Sequence, residues 1–237
     1  MQLDNIKNIN LLYEYAMDNS EYVMIKEMFL SALFFNTSAA MALKHIRIVR
    51  KTNNKDKVII PNYFGITFAG SGCGKNHSDN IAKSIFKDMH EKFNQVASNF
   101  YESRKDADGK PDPKYINLSS YFIPVTSTWQ ALQKAAQTVT DMHAGSVNIV
   151  SDELGDSIMS MSEIITKLKS TWDTGISEGQ VNVSNGGEAY FLVQDLCVNA
   201  LLFGAPAPFE LVPAKKDKLL EAYVSGMARR SFIYYKK

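Results

Sequence analysis

Ile66-Thr67-Phe68-Ala69-Gly70-Ser71-Gly72-Cys73-Gly74-Lys75-Asn76 decides how this chain is read. Before it runs an apolar stretch broken by a turn: Val58, Ile59 and Ile60, then Tyr63, Phe64, Ile66 and Phe68. After it, Ser78 to Phe100 has the apolar spacing of an amphipathic helix. A buried strand, a tight glycine turn and a helix N-terminus together form a cradle for phosphate. Glycines let backbone N–H groups approach the anion, the helix dipole favours it, and Lys75 adds a mobile positive charge. The stretch departs from G-x-x-x-x-G-K-[ST] at two places: Ala69 holds the first glycine's position, and Asn76 replaces the hydroxyl that ordinarily ligates Mg²⁺. The loop predicted to hold the nucleotide is thus Ala69, Gly70, Ser71, Gly72, Cys73, Gly74, Lys75, Asn76 and His77. The competing reading is a purely structural turn, since glycines also serve as caps.

Composition sets the frame. The 237 residues suffice for one large domain or two small ones, and 45% hydrophobic with 22% charged residues is ordinary for a globular chain. A net charge of +1 excludes a wholly polybasic nucleic-acid binder, so any DNA contact needs a local patch or an oligomeric ring. Two cysteines, Cys73 and Cys197, give no disulfide framework and suit a reducing cytoplasm. Met24 to Leu43 is apolar, yet Lys26, Glu27 and Asn36 interrupt it and Lys44 bounds it, so no membrane span is expected.

Residues 1 to about 50 carry helical periodicity, either as a layer packed on the core or as an inter-subunit collar. Lys51 to Lys57 is expected to be a polar turn leading into the first core strand. Glu102 to Lys114 reads as a surface loop. Thr126 or Ser127 is the expected cap of a helix from Trp129 to about Met142. Ser146-Val147-Asn148-Ile149-Val150-Ser151 then runs into Asp152 and Glu153, as a buried strand does at the active edge of an α/β sheet. Beside a phosphate loop, Asp152 is expected to hold Mg²⁺, with Asn76 as a further candidate ligand. Glu153 is expected to activate the attacking water. The alternative is a solvated strand end. Gly155 to Lys169 reads as a helix, and Gln180–Val183 with Glu188–Val193 as a hairpin across Asn185-Gly186. Val198 to Phe203 reads as another buried strand. Lys215 to Lys218 is expected to precede a helix as a solvated cluster.

Four segments in this order carry a family resemblance: AGSGCGKN at 69–76, NIVSDELG at 148–155, LLFGAPAP at 201–208 and GMARRSF at 226–232. From about residue 55 to 237 the chain resembles the AAA+ core of superfamily-III-type helicases, most of all the primase/helicase ATPases of phages and mobile elements. The resemblance implies a three-layer α/β P-loop NTPase (AAA+/ASCE-like), with a largely parallel central sheet, an inserted β-hairpin and an N-terminal helical layer at 1–54. It implies ATP and Mg²⁺ as cofactors, hydrolysis at the subunit interfaces of a homo-oligomeric, hexameric ring, and action on DNA, chiefly single-stranded, during replication in the cytoplasm. It assigns Lys75 and Glu153 to catalysis, and Arg230, with Arg229 as runner-up, to the finger that reaches a neighbour's γ-phosphate. Alternatively, the arginine pair is a surface or salt-bridge feature. Two further departures are visible: the strand ending at Phe203 has no polar sensor at its end, and the hairpin tip is Asn-Gly-Gly. A second reading, motivated by Asn76, is a nucleotide-binding assembly or switch module with little hydrolysis. A third is a structural protein without nucleotide. The end of the sequence soon after the arginines suggests a piece of a longer protein.

Overall fold

The structure, a computed structural model, describes residues 9–18, 25–51, 56–70, 72–118, 123–124, 128–143, 145–159, 171–172, 180–182, 188–190 and 195–236. The first half runs α1 (Ile9–Asp18), α2 (Lys26–Leu43), β1 (Ile48–Lys51), β2 (Asp56–Ile59), β3 (Phe64–Ala69), α3 (Lys75–Ile85) and α4 (Lys87–Ser103). Then come β4 (Ile123–Pro124), α5 (Trp129–Asp141), β5 (Val147–Ser151), α6 (154–159), β6 (Gln180–Asn182) and β7 (Glu188–Tyr190). The chain continues through β8 (Val198–Gly204), α7 (Ala207–Leu211), α8 (Pro213–Ala222) and β9 (Phe232–Lys236).

Five strands form one sheet in the order β4-β5-β8-β3-β9, and all four pairings are parallel. β3 and β8 are buried along their whole length, which is why both read as largely apolar, broken by Thr67 and Asn199, rather than as alternation. The two sheet faces are distinct. Leu201 and Phe203 of β8 pack with Phe29, Phe35 and Ala82 from α2 and α3. Phe64, Ile66, Phe68, Ala200 and Leu202 point into the other cluster, with Leu132 and Val139 of α5 and Phe209 of α7. Helices therefore cover both faces, and each fully buried Phe or Leu contributes about 1.5–3 kcal/mol. Gly65 is what lets α2 sit so close: a Cβ there would lie 2.4 Å from the Ser31 hydroxyl oxygen.

A buried polar knot ties the amino-terminal ends of these strands together. Asn199 Nδ2 donates to Asn148 Oδ1 at 3.1 Å, and Asn199 Oδ1 accepts from the Tyr63 amide at 2.8 Å and from Ser38 Oγ at 2.7 Å. The same Ser38 hydroxyl also lies against the Pro61 carbonyl, so its one proton is shared between the two acceptors. Asn199 is thus spent on architecture, far from the carboxyl edge of the sheet.

Several expectations are corrected. Val58 and Ile59 do not enter the core strand: they pair with β1 in a separate antiparallel ribbon, Val49 opposite Val58, and the core strand begins at Phe64. Residues 48–51 are accordingly strand, not helix. The helix expected from Ser78 to Phe100 begins at Lys75 and is broken at Phe86 into α3 and α4. The cap of α5 is Thr128, whose Oγ1 accepts from the Ala131 amide at 3.3 Å. Thr126 and Ser127 lie outside the described residues. Lys215 to Lys218 lies inside α8, after a proline at the helix start. The hairpin of β6 and β7 is present, Asn182 opposite Glu188, while its Asn-Gly-Gly tip falls outside the described residues. So does the continuation of α6 beyond residue 159.

Candidate functional site at the carboxyl edge of the sheet

β3 leaves the sheet at Ala69 and the chain turns through the glycine loop into α3. Gly72 and Gly74 hold φ of 79° and 74°, the left-handed region that glycine alone enters without cost. A Cβ at Gly72 would meet nothing within 4 Å, and one at Gly70 would meet only Cys73 Sγ at 3.9 Å. Gly74 is the N-cap of α3, and among the described residues no side chain caps this helix or places an acid in its first turn. The first amides of α3 therefore face outward with the positive end of the helix dipole behind them. Lys75 is half-buried and curls back over the loop, its Nζ donating to the Ala69 carbonyl at 3.3 Å. These are features an oxyanion-rich ligand requires.

Of the other predicted loop residues, Cys73 and His77 are half-buried, Asn76 is exposed on the first turn of α3, and Ser71 is outside the described residues. Ser78 is buried and its Oγ has no hydrogen-bond partner.

β5 ends at Ser151, with Asp152 exposed and Glu153 half-buried immediately beyond. β8 lies between β5 and β3, so the acid pair and the glycine loop are two strand spacings apart, roughly 10 Å. The gap is a topological switch point. From β3 the chain crosses to the far edge at β4, whereas from β8 it crosses the other way to β9. Ligands of open α/β sheets bind outside the carboxyl ends at such a point. Glu153 spans part of the gap: its Oε1 accepts from the backbone amide of Ala205, just after β8, at 3.1 Å. Gly155 keeps this contact tight, because a Cβ there would sit 2.8 Å from Pro208.

Asp79 is the residue that sequence reasoning missed. It lies one turn beyond Lys75 on α3, is buried, pairs with Lys83, and leaves Oδ1 without a partner. Burial raises its carboxyl above the usual range, Lys83 counters this, and Asp152 adds a further upward push. The signal was there in the sequence, an acid four residues after the loop lysine, but it carries no motif.

The arginines are not at this site. Arg229 and Arg230 occupy the turn before β9, and Phe232 pairs beside Gly65, at the opposite end of β3 from Ala69. Four residues of strand, roughly 13 Å, separate the two levels. Arg230 Nη1 donates to the Gly226 carbonyl at 2.8 Å. Any meeting of these arginines with a glycine loop is between copies of the chain, not within one.

Among the described residues, no three or more His, Cys, Asp or Glu side chains converge on one point. No described helix is long and apolar enough to cross a membrane. Neither a protein-family model, nor a curated protein, nor a solved structure matches this chain. The geometry itself defines a class: an α/β protein whose parallel sheet is flanked by helices, with a glycine-rich turn and an acid pair at its carboxyl edge.

Proposed function

We propose that this chain is an ATP-binding P-loop ATPase of the AAA+ type. One observation carries the reading: a glycine loop with a lysine follows a central parallel strand, and Glu153 reaches across the end of the neighbouring strand towards it. In this reading Lys75 and the loop amides hold the β- and γ-phosphates, and Asp152 and Asn76 would hold Mg²⁺. When bound, the ion supplies charge neutralisation between the phosphates. Glu153 orients and deprotonates water, and Arg230 or Arg229 of a neighbouring copy neutralises charge at the transferring phosphoryl group. The motor role, a replicative helicase or primase-helicase ring on single-stranded DNA, rests on the sequence resemblance.

A second reading is supported by Asn76, which stands exposed where a hydroxyl ordinarily serves the metal: a nucleotide-dependent assembly or switch module with weak hydrolysis. Phosphate release from Mg-ATP, with and without single-stranded DNA and beside Lys75→Ala, separates the two. Release that DNA stimulates and Lys75→Ala abolishes supports the motor. Thermal stabilisation by Mg-ATP without release supports the switch. No stabilisation at saturating Mg-ATP overturns both.

A further inference from the structure

We propose that the β1–β2 ribbon is a nucleic-acid contact that grips the phosphodiester backbone without reading bases. Lys44 to Lys57 contains six Lys or Arg and one Asp, in a chain whose net charge is only +1. This segment therefore carries a local net charge of +5, while the remainder of the chain is net negative. β1 is exposed along its whole length, and Val58 of β2 is 60% exposed. The charges have two different fates. Arg47, at the base, forms an ion pair with Asp195 and donates to it from Nε at 3.1 Å and Nη2 at 2.9 Å, clamping the ribbon to the start of β8. Lys44, Arg50 and Lys51 are exposed and have no ion pair among the described residues.

Register sharpens the case. Arg50 is exposed and stands opposite Lys57 in the backbone register, two residues beyond the apolar pair Ile48 and Ile59. A two-stranded ribbon alone is marginal in water, and a polyanion lying along the Arg50 face meets this exposed charge. On the other face Lys51 stands opposite an acid, Asp56, in the register, so the Arg50 face is the contact. The strands contain no aromatic residue, which leaves nothing for bases to stack on and favours backbone contact. It also disfavours a membrane surface, where Trp and Tyr would be expected.

This deepens the nucleic-acid part of the proposed function but needs no nucleotide chemistry, and its test omits ATP. Fluorescence anisotropy of a labelled mixed-sequence oligonucleotide, single-stranded and duplex, is followed between about 50 and 200 mM salt. For the native chain we expect binding that weakens steeply with salt. For the Arg50→Ala variant we expect a salt slope shallower by about one, and for Arg50→Glu an affinity lower by about tenfold or more. Arg50→Lys should largely retain binding. An unchanged thermal midpoint shows that these exposed changes leave the fold intact, and retained Mg-ATP stabilisation separates this test from that of the glycine loop. Unchanged affinity and slope in the charge-reversed variant overturns the proposal. So does binding of the native chain to phosphatidylserine vesicles but not to either oligonucleotide.

Discussion

Glu153 and Ala205 meet across the carboxyl end of β8, the Glu153 carboxylate accepting from the Ala205 amide at 3.1 Å. This contact fastens the end of β5 to the segment that leads through α7 and α8 to the arginines before β9.

Glu153→Gln is expected to keep Mg-ATP binding and lose turnover by at least about 100-fold, the scale of a lost general base. The amide retains an oxygen able to accept from Ala205, so stability should change little. Binding by isothermal calorimetry and phosphate release on the same sample check both halves. Unchanged turnover would remove Glu153 from the mechanism.

Gly155→Ala tests the packing behind that contact. Its new Cβ lies 2.8 Å from Pro208 and 3.3 Å from Glu153 Oε1, so the segment after β8 must move. The expected cost is about 1–3 kcal/mol in denaturant unfolding. Turnover is expected to fall more than nucleotide affinity, because Lys75 and its loop are not in this contact.

Asn199→Ala removes the centre of the buried polar knot and leaves Asn148, Ser38 and the Tyr63 amide short of partners. The expected loss is about 2–3 kcal/mol, or roughly 5 °C or more in thermal midpoint for a chain of this size. Nucleotide affinity per folded molecule should be unaffected. A loss of affinity without a loss of stability would make Asn199 a site residue after all.

His90 predicts an acid-sensitive step. Its Nε2 lies 2.9 Å from Asn36 Oδ1, and burial, helped by Lys83, lowers its pKa to about 4. The unfolded chain, with an ordinary histidine, binds more protons between about pH 6.5 and 4, so stability falls as pH falls through that window. Asp79, with its raised carboxyl, works in the opposite direction. The comparison is therefore made between the native chain and His90→Gln, whose thermal midpoint should depend less steeply on pH in this window.

Much of the fold was legible because its signals are local. Glycines before a lysine and a helix, apolar runs ending in acids, and Asn-Gly between short strands each mark their element with nearby residues alone. The break at Phe86 was not legible, since the amphipathic pattern continues through it and packing alone ends α3 at Ile85. Nor was the ribbon: Val58 and Ile59 look like the start of a core strand, and only pairing with Val49 and Ile48 takes them out of it.

The sequence by itself determined the glycine loop, the acid pair and the alternation of helices with buried strands, because composition and spacing at short range dictate these. Only the tertiary structure decided the strand order, which puts β8 between the loop and the acids. It alone brought Glu153 to Ala205 and buried Asp79 within reach of the field of Asp152, and it alone moved the arginines to the far end of β3. The physical reason is that parallel strands are joined by long crossovers, so which strands become neighbours is set by the packing of helices on the two faces and not by any residue near the strand itself.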